Sequence, residues 1–304
     1  MKRLFISTVL ASLLAGTTLF AANPTSKEVN KQTVAQAKSD AQHSQEKLLK
    51  DSVGALLLTQ KTLVDLAHNK IDEAIKDLEG AIGKLEVILA SRNAPKLLPV
   101  QSTVVAYEYA GDIKALLKAI SEVKLLIAAN KLQDARILLD TLRSELVIST
   151  VNIPLATYPD ALKLAAKYLH EGKVQEAIAV LDAALNTLVQ TEVIIPLPIL
   201  KAEGLIKAAS IIAKTDKEQA LKHLDQAKKE LVIAQTLGYV SRSSTTYKML
   251  KEAIENVEKE IKGKNEVAKL FEELLNKIKE FKEKAVKHTD NSAQPAQQEN
   301  NNSK

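Results

Sequence analysis

The sequence predicts an all-α fold of tandem αα-hairpin repeats stacked into one domain, and two observations carry that prediction. The first is a segment that recurs four times: HNKIDEAIKDLEGAIGKLEV from His68, ANKLQDARILLDTLRSELVI from Ala129, EGKVQEAIAVLDAALNTLVQ from Glu171 and KTDKEQALKHLDQAKKELVI from Lys214. Aligned on one small residue, the copies fall at Ala74, Ala135, Ala177 and Ala220, separated by 61, 42 and 43 positions. Four residues on sits Leu78, Leu139, Leu181 or Leu224, and eleven on sits Leu85, Leu146, Leu188 or Leu231. Offsets of 4, 7 and 11 return to one helical face, so each copy reads as an amphipathic helix. A period near 42 residues marks supersecondary units that bury their apolar faces against one another. The second observation is the set of connectors LLPVQSTVVAY (97–107), VISTVNIPLATYP (147–159) and TEVIIPLPIL (191–200). Each joins proline to β-branched residues, which resist helix and favour extended backbone. They are apolar, so they are expected in the core as extended segments with the option of pairing as short strands.

The elements follow in order. Residues 1–21 read as a secretory signal peptide: Lys2 and Arg3 form a positive start, Leu4 to Leu14 is a short apolar run, and cleavage is expected near Ala21. The run is short for the ~20 apolar residues of a membrane span, and no later stretch is long and apolar enough for one. The mature chain is therefore expected to be exported to the periplasm without a transmembrane anchor. Residues 22–47 form a polar lead-in, either a loosely held helix or disordered. Residues 48–288 form the repeat domain. Its turns are His68-Asn69-Lys70, Asn130-Lys131, Glu171-Gly172-Lys173 and Thr215-Asp216-Lys217, each placed between two helical periods. After Gln235 the repeat stops, and helices are expected over about 246–261 and 265–287, the last amphipathic with lysines opposite a Leu/Phe face. Its mixed charge favours docking onto protein over lipid. Residues 289–304, almost free of apolar side chains, read as a disordered tail.

Composition narrows the function classes. Cysteine is absent, which rules out thiol catalysis, thiolate metal sites and disulfides. Removing residues 1–21 takes away Lys2 and Arg3 and no acid, so the net charge falls from +5 to +3. Lysine and glutamate interleave along the helices, the mature chain has no Trp, and nucleic-acid binding is not expected.

The connectors also support a resemblance. Leu142-Arg143-Ser144-Glu145-Leu146-Val147-Ile148 followed by Asn152-Ile153-Pro154-Leu155-Ala156-Thr157-Tyr158-Pro159 resembles the signature of the bacterial YfdX family. So do Leu185-Asn186-Thr187-Leu188-Val189, Ile195-Pro196-Leu197-Pro198 and Ala234-Gln235-Thr236-Leu237-Gly238-Tyr239. The similarity runs from about Leu48 to Lys251. It implies a mainly helical exported protein tied to bacterial stress or acid responses, with a chaperone-like role suggested for the family and no catalytic residues to carry over.

The residues offer little catalytic chemistry. His43, His68, His170, His223 and His288 form no His-x-x-x-His or Glu-x-x-His pair, so no metal or other cofactor is expected. No Gly-x-Ser-x-Gly or phosphate-cradling glycine loop is present. Glu145, Glu192, Glu203 and Asp160 flank the proline connectors, and an enzyme would need them to converge. The candidate interaction surface is Asn152, Thr157, Tyr158 and Tyr239, polar groups beside apolar connectors, with helix capping by Thr157 as the simpler account. The expected function is a non-enzymatic exported interaction protein with a stress-related holdase role. Its partners would be other proteins or unfolded clients, and apolar connectors favour a homo-oligomer. The alternative is a periplasmic small-molecule binder using a groove between hairpins near Asn152 to Tyr158.

Overall fold

Each apolar connector is a β-strand in the computed structural model, which describes residues 24–92, 94–241, 244–263 and 267–291. The expected signal peptide and residues 292–304 of the expected tail lie outside the described residues. Strands β1 (Leu97–Tyr107), β2 (Glu145–Pro154) and β3 (Val189–Pro196) pair antiparallel in chain order, and β4 (Lys287–Asn291) adds to β3. The fold is thus mainly helical but not all-α. The reason lies in the connectors themselves: Val, Ile and Thr at alternate positions suit a pleated surface, and pairing satisfies backbone groups that the core would strand. The prolines sit where a missing N–H does no harm. Pro154 and Pro196 end their strands, and Pro99 sits at a bulge where the β1–β2 register shifts before Gln101.

The helices come in pairs. They are α1 (Ser26–Ala67) with α2 (Ile71–Leu89), α3 (Ile113–Ala128) with α4 (Leu132–Thr141), α5 (Tyr158–His170) with α6 (Val174–Leu185), and α7 (Leu197–Ile212) with α8 (Lys217–Thr236). Two more, α9 (Thr245–Lys262) and α10 (Ala268–Ala285), lead into β4. No helix among the described residues is long and apolar enough to cross a membrane. The first three hairpins turn identically. Asn69, Asn130 and Gly172 take positive φ of 60°, 58° and 73°. The next residue's amide then closes onto a carbonyl five positions back, Lys70 to Asp65, Lys131 to Leu126 and Lys173 to Tyr168, each at 2.8 Å.

The recurring helical stripe is only partly helical. In α2 and α8 it runs through Leu85 and Leu231. In the middle copies the helix stops at Thr141 and Leu185, so Leu146 lies in β2 and Leu188 just before β3. β-branched residues that follow these two helices draw the chain into the sheet sooner.

The hairpins do not stack in series. In an antiparallel sheet, the link from β1 to β2 lies at one end and the link from β2 to β3 at the other. Hairpin α3–α4 and the helices α7–α10 therefore gather at one end of the sheet. Hairpins α1–α2 and α5–α6 gather at the opposite end. The packing follows: α2 rests on α5, while α3 meets α8. One core unites Leu78 and Leu85 with Leu162, Leu169 and Leu181; another unites α7 to α10 around Leu205, Leu224, Ile254 and Phe271.

Helix α1 bridges the two ends. Its 42 residues span ~63 Å at 1.5 Å each, and the expected boundary at residue 48 falls inside it without a break. Its C-terminal half packs on α2 through Ala55 and Leu66. Its N-terminal half lies over the sheet through Ala37 and Ala41, which meet Leu146, Ile148, Ile195, Leu197 and Leu200. Helix α7 crosses it so closely that a Cβ at Gly204 would run into the Thr33 side chain.

The repeat permits an internal control. Leu78, Leu181 and Leu224 are fully buried, yet their counterpart Leu139 is 48% exposed. Leu181→Ala is expected to cost about 2–5 kcal/mol, and Leu139→Ala less than ~0.5 kcal/mol. Urea unfolding of the two variants checks the contrast; equal costs would contradict the packing described.

Candidate functional site

The four polar residues singled out by sequence fall in two places separated by the length of β2. Asn152 is buried at the far end of that strand, where its side-chain amide lies 3.0 Å from the Thr150 and Val189 carbonyls and from the Thr191 hydroxyl. It ties β2 to β3. Thr157 is exposed at the N-cap of α5 and makes no side-chain cap; instead its backbone amide donates to the Pro154 carbonyl at 3.2 Å. Tyr158 is fully buried, and burial pushes its phenol up, with the Thr59 hydroxyl opposing. Asn152 and Tyr158 therefore belong to the interior.

Tyr239 lies at the opposite end. Its residue follows Gly238, whose φ of 82° ends α8. The hydroxyl donates to Glu145 Oε2 at 3.0 Å and accepts from the Ser144 amide at 3.1 Å. Glu145 Oε1 takes the Arg143 Nε–H at 2.8 Å, and the guanidinium stands 3.7 Å above the Tyr107 ring. Burial, followed by the neighbouring Glu145 carboxylate, drives the Tyr239 phenol far above its ordinary value, despite the opposing Ser144 amide. This cluster clamps the start of β2 to the end of α8.

The carboxylates do not converge. Glu145 is held by Arg143 and Tyr239, Glu192 accepts from Ser149 at 3.1 Å, and Glu203 pairs with Lys282 at 2.6 Å. Asp160 is exposed, 3.8 Å from Lys163. His68 Nδ1 donates to the Val64 carbonyl at 2.7 Å, and His170 Nε2 faces Glu79 at 3.9 Å. Among the described residues no group of three His, Asp or Glu side chains is placed to hold a metal ion.

The polar chemistry concentrates instead under the N-terminal half of α1. Ser26, Asn30, Thr33, Ala37 and Ala41 share one face of that helix, at spacings of four and three. Ser26 Oγ meets His223 Nδ1 at 2.8 Å, Asn30 Nδ2 donates to Glu230 Oε1 at 2.9 Å, and Gln219 Nε2 donates to the Pro24 carbonyl at 3.0 Å. His223 is fully buried, and its Nε2 has no hydrogen-bond partner among the described residues. Burial holds this imidazole below the usual histidine range, with Asp216 opposing. Glu230 is 5% exposed; burial raises its carboxyl, while Lys201, Gln226 and Asn30 lower it and Glu108 adds to the rise. Lys201 itself pairs with Glu108 at 2.7 Å. In the sequence His223 was weighed only as a metal ligand and Glu230 was not singled out, although the repeat held a signal. His223 sits between Ala220 and Leu224 on the buried stripe, where a titratable side chain is out of place.

One further feature is a cavity of about 390 Å³ between α7 and α10, lined by Ser210, Ala268, Phe271, Glu272, Leu275 and Asn276.

The chain is similar to known proteins over part of its length. Residues 55–194 match the family model described as YfdX protein, a stretch from the second half of α1 into β3. No curated protein matches the chain. Among solved structures, a crystal form of Salmonella Typhi YfdX is similar at 15% identity and a TM-score of 0.33, over 47% of this chain and 88% of that one.

Tyr239→Phe removes one partner from a buried carboxylate and leaves the Ser144 amide unpaired. The expected cost is about 1–3 kcal/mol, read as a lower melting temperature. A variant as stable as the parent would mean that water replaces the hydroxyl.

Proposed function

From a chain that carries a YfdX-family region over residues 55–194, we propose a non-enzymatic, exported interaction protein of the periplasm that acts as an acid-responsive holdase. The observation that supports it is the way the N-terminal half of α1 covers the sheet. Its contact face is small and polar, with Val29, Ala37 and Ala41 as its buried apolar residues. Beneath it lie Leu146, Ile148, Ile195 and Leu200. A cover held by few apolar contacts over a large apolar floor is suited to conditional exposure.

The titration runs in the required direction. His223 is held neutral when α1 is docked, so the docked state binds fewer protons than the open one. Its contribution is complete above the ordinary histidine value of about 6.5 and is lost as pH falls through the docked ring's lower value. A protonated ring would carry a second N–H into a place with no acceptor among the described residues. Glu230 works the other way, because a raised carboxyl gains from protonation as the pH falls. Release is therefore expected from His223, aided by the growing positive charge of the whole chain.

The deciding experiment is light scattering of an acid-labile client with the protein at substoichiometric and equimolar ratios, at neutral and acid pH. Suppression that strengthens in acid supports the reading; none at any ratio defeats it. Dye binding to apolar surface is expected to rise near pH 4 with helicity retained. In His223→Gln, which cannot titrate, the onset is expected at lower pH. An unchanged onset would remove His223 from the mechanism.

The alternative, a small-molecule binder, was expected near Asn152 to Tyr158, where Asn152 and Tyr158 are buried. It draws instead on the open depression between α7 and α10, where Ser210, Glu272 and Asn276 stand beside Ala268, Phe271 and Leu275. A specific ligand there should raise the melting temperature with its saturation.

A further inference from the structure

Exposed apolar side chains are not spread evenly over this protein. Of the fourteen large ones among the described residues, Leu117, Leu125, Ile127, Leu132, Ile137 and Leu139 all lie on the α3–α4 hairpin. They crowd toward its tip. From Lys124 to Asp134 every residue is exposed except Leu126, which is half-buried. Leu125, Ile127 and Leu132 are 71%, 50% and 57% exposed. At the α5–α6 tip the equivalent apolar positions are covered: Leu169 is buried and Tyr168 and Val174 are half-buried.

The charges at this tip differ as well. No acid stands between Val123 and Gln133, while Lys124 and Lys131 flank the apolar residues. Neither ammonium has an ion-pair partner among the described residues. Over the same span the other hairpin ends carry acids: Asp65 and Asp72 at the first, Glu171 at the third, Asp216 and Glu218 at the fourth. Several cations there pair, as Lys61 does with Asp65, Lys173 with Glu171 and Lys222 with Glu218.

We propose that the tip of the α3–α4 hairpin is a peripheral membrane-binding site that inserts Leu125, Ile127 and Leu132 into an anionic phospholipid surface. A protruding tip ringed by solvent presents its side chains outward on two helix ends, the shape that enters a headgroup layer. Apolar side chains at the level of the acyl boundary, with lysines at the level of the phosphates, are the chemistry such a surface selects. With no helix among the described residues able to span, the association is reversible and superficial. The site is distinct from the α1 seam and does not depend on holdase activity.

The test is co-sedimentation of residues 22–304, which contain every described residue, with vesicles of phosphatidylcholine alone or with one-third phosphatidylglycerol. Pelleting is expected with the anionic vesicles and little with the neutral ones. Leu125→Glu combined with Ile127→Glu should abolish it, with the helical spectrum unchanged because both side chains are already exposed. Lys124→Gln and Lys131→Gln should each weaken partitioning about five-fold. No pelleting of the parent overturns the proposal, and so does pelleting that the tip variants leave intact, which would move lipid contact elsewhere. Sedimentation velocity of the same variants separates one more case. If they dissociate an oligomer and no vesicle is bound, the tip is a contact between copies and the lipid assignment fails.

Discussion

Because β1, β2 and β3 each run antiparallel to the next, a chain that leaves one strand must re-enter its neighbour at the same end of the sheet. Two helices per link turn this rule into a sorting device. Successive hairpins are sent alternately to opposite ends, and each end must build its own core. The packing of α2 on α5 and of α3 on α8 is the direct result. It also explains the uneven burial of equivalent residues. The end with α1, α2, α5 and α6 has two complete hairpins facing each other. At the other end α8 is occupied with α7 and α9 as well as α3, and α4 is left without cover.

Something must then join the two ends besides a narrow sheet, and α1 does it. The join is chemically unlike the cores it links. A buried leucine contributes through area removed from water, about 25 cal/mol per Å². The α1 seam has hydroxyls, amides and a histidine instead, whose net contributions are near ~1 kcal/mol each because water competes for them. The ion pairs nearby, the largely buried Lys282 with Glu203 and Lys201 with the half-exposed Glu108, fix geometry while returning little stability after desolvation. The seam specifies where α1 lies more than it holds it there.

Much of this was legible in the residues, and the remainder was hidden for definite reasons. The helical hairpins showed in the recurrence of Ala74, Ala135, Ala177 and Ala220, because a buried stripe needs that spacing whatever it packs against. The extended connectors showed in their Val, Ile and Pro content. Their pairing into a sheet did not, since periodicity reports which face is apolar and says nothing of which faces meet. For the same reason a period of 42 suggested stacking in series. The contact face of α1 was hidden by its composition: Ser26, Asn30 and Thr33 read as solvent-facing until a partner helix is known. Tyr239 was read as part of an interaction surface, and its hydroxyl reaches β2 through Ser144 and Glu145. Asn152 and Tyr158 looked available because their types are polar, yet each is enclosed.

The seam also sets an order of assembly. Ser26 meets a residue 197 positions later, and Asn30 one 200 positions later. A chain emerging from its N-terminus, whether from a ribosome or through a translocation pore, offers α1 first and its partner α8 only after most of the sequence has followed. The sheet and the α2–α5 end can close before then, from segments nearer in sequence. Throughout that interval the polar residues at the start of α1 lack the α8 partners that Ser26 and Asn30 will meet. The sparse apolar content of that stretch suits the wait, because a leucine-rich face in the same position would find other chains before it found its own C-terminal half.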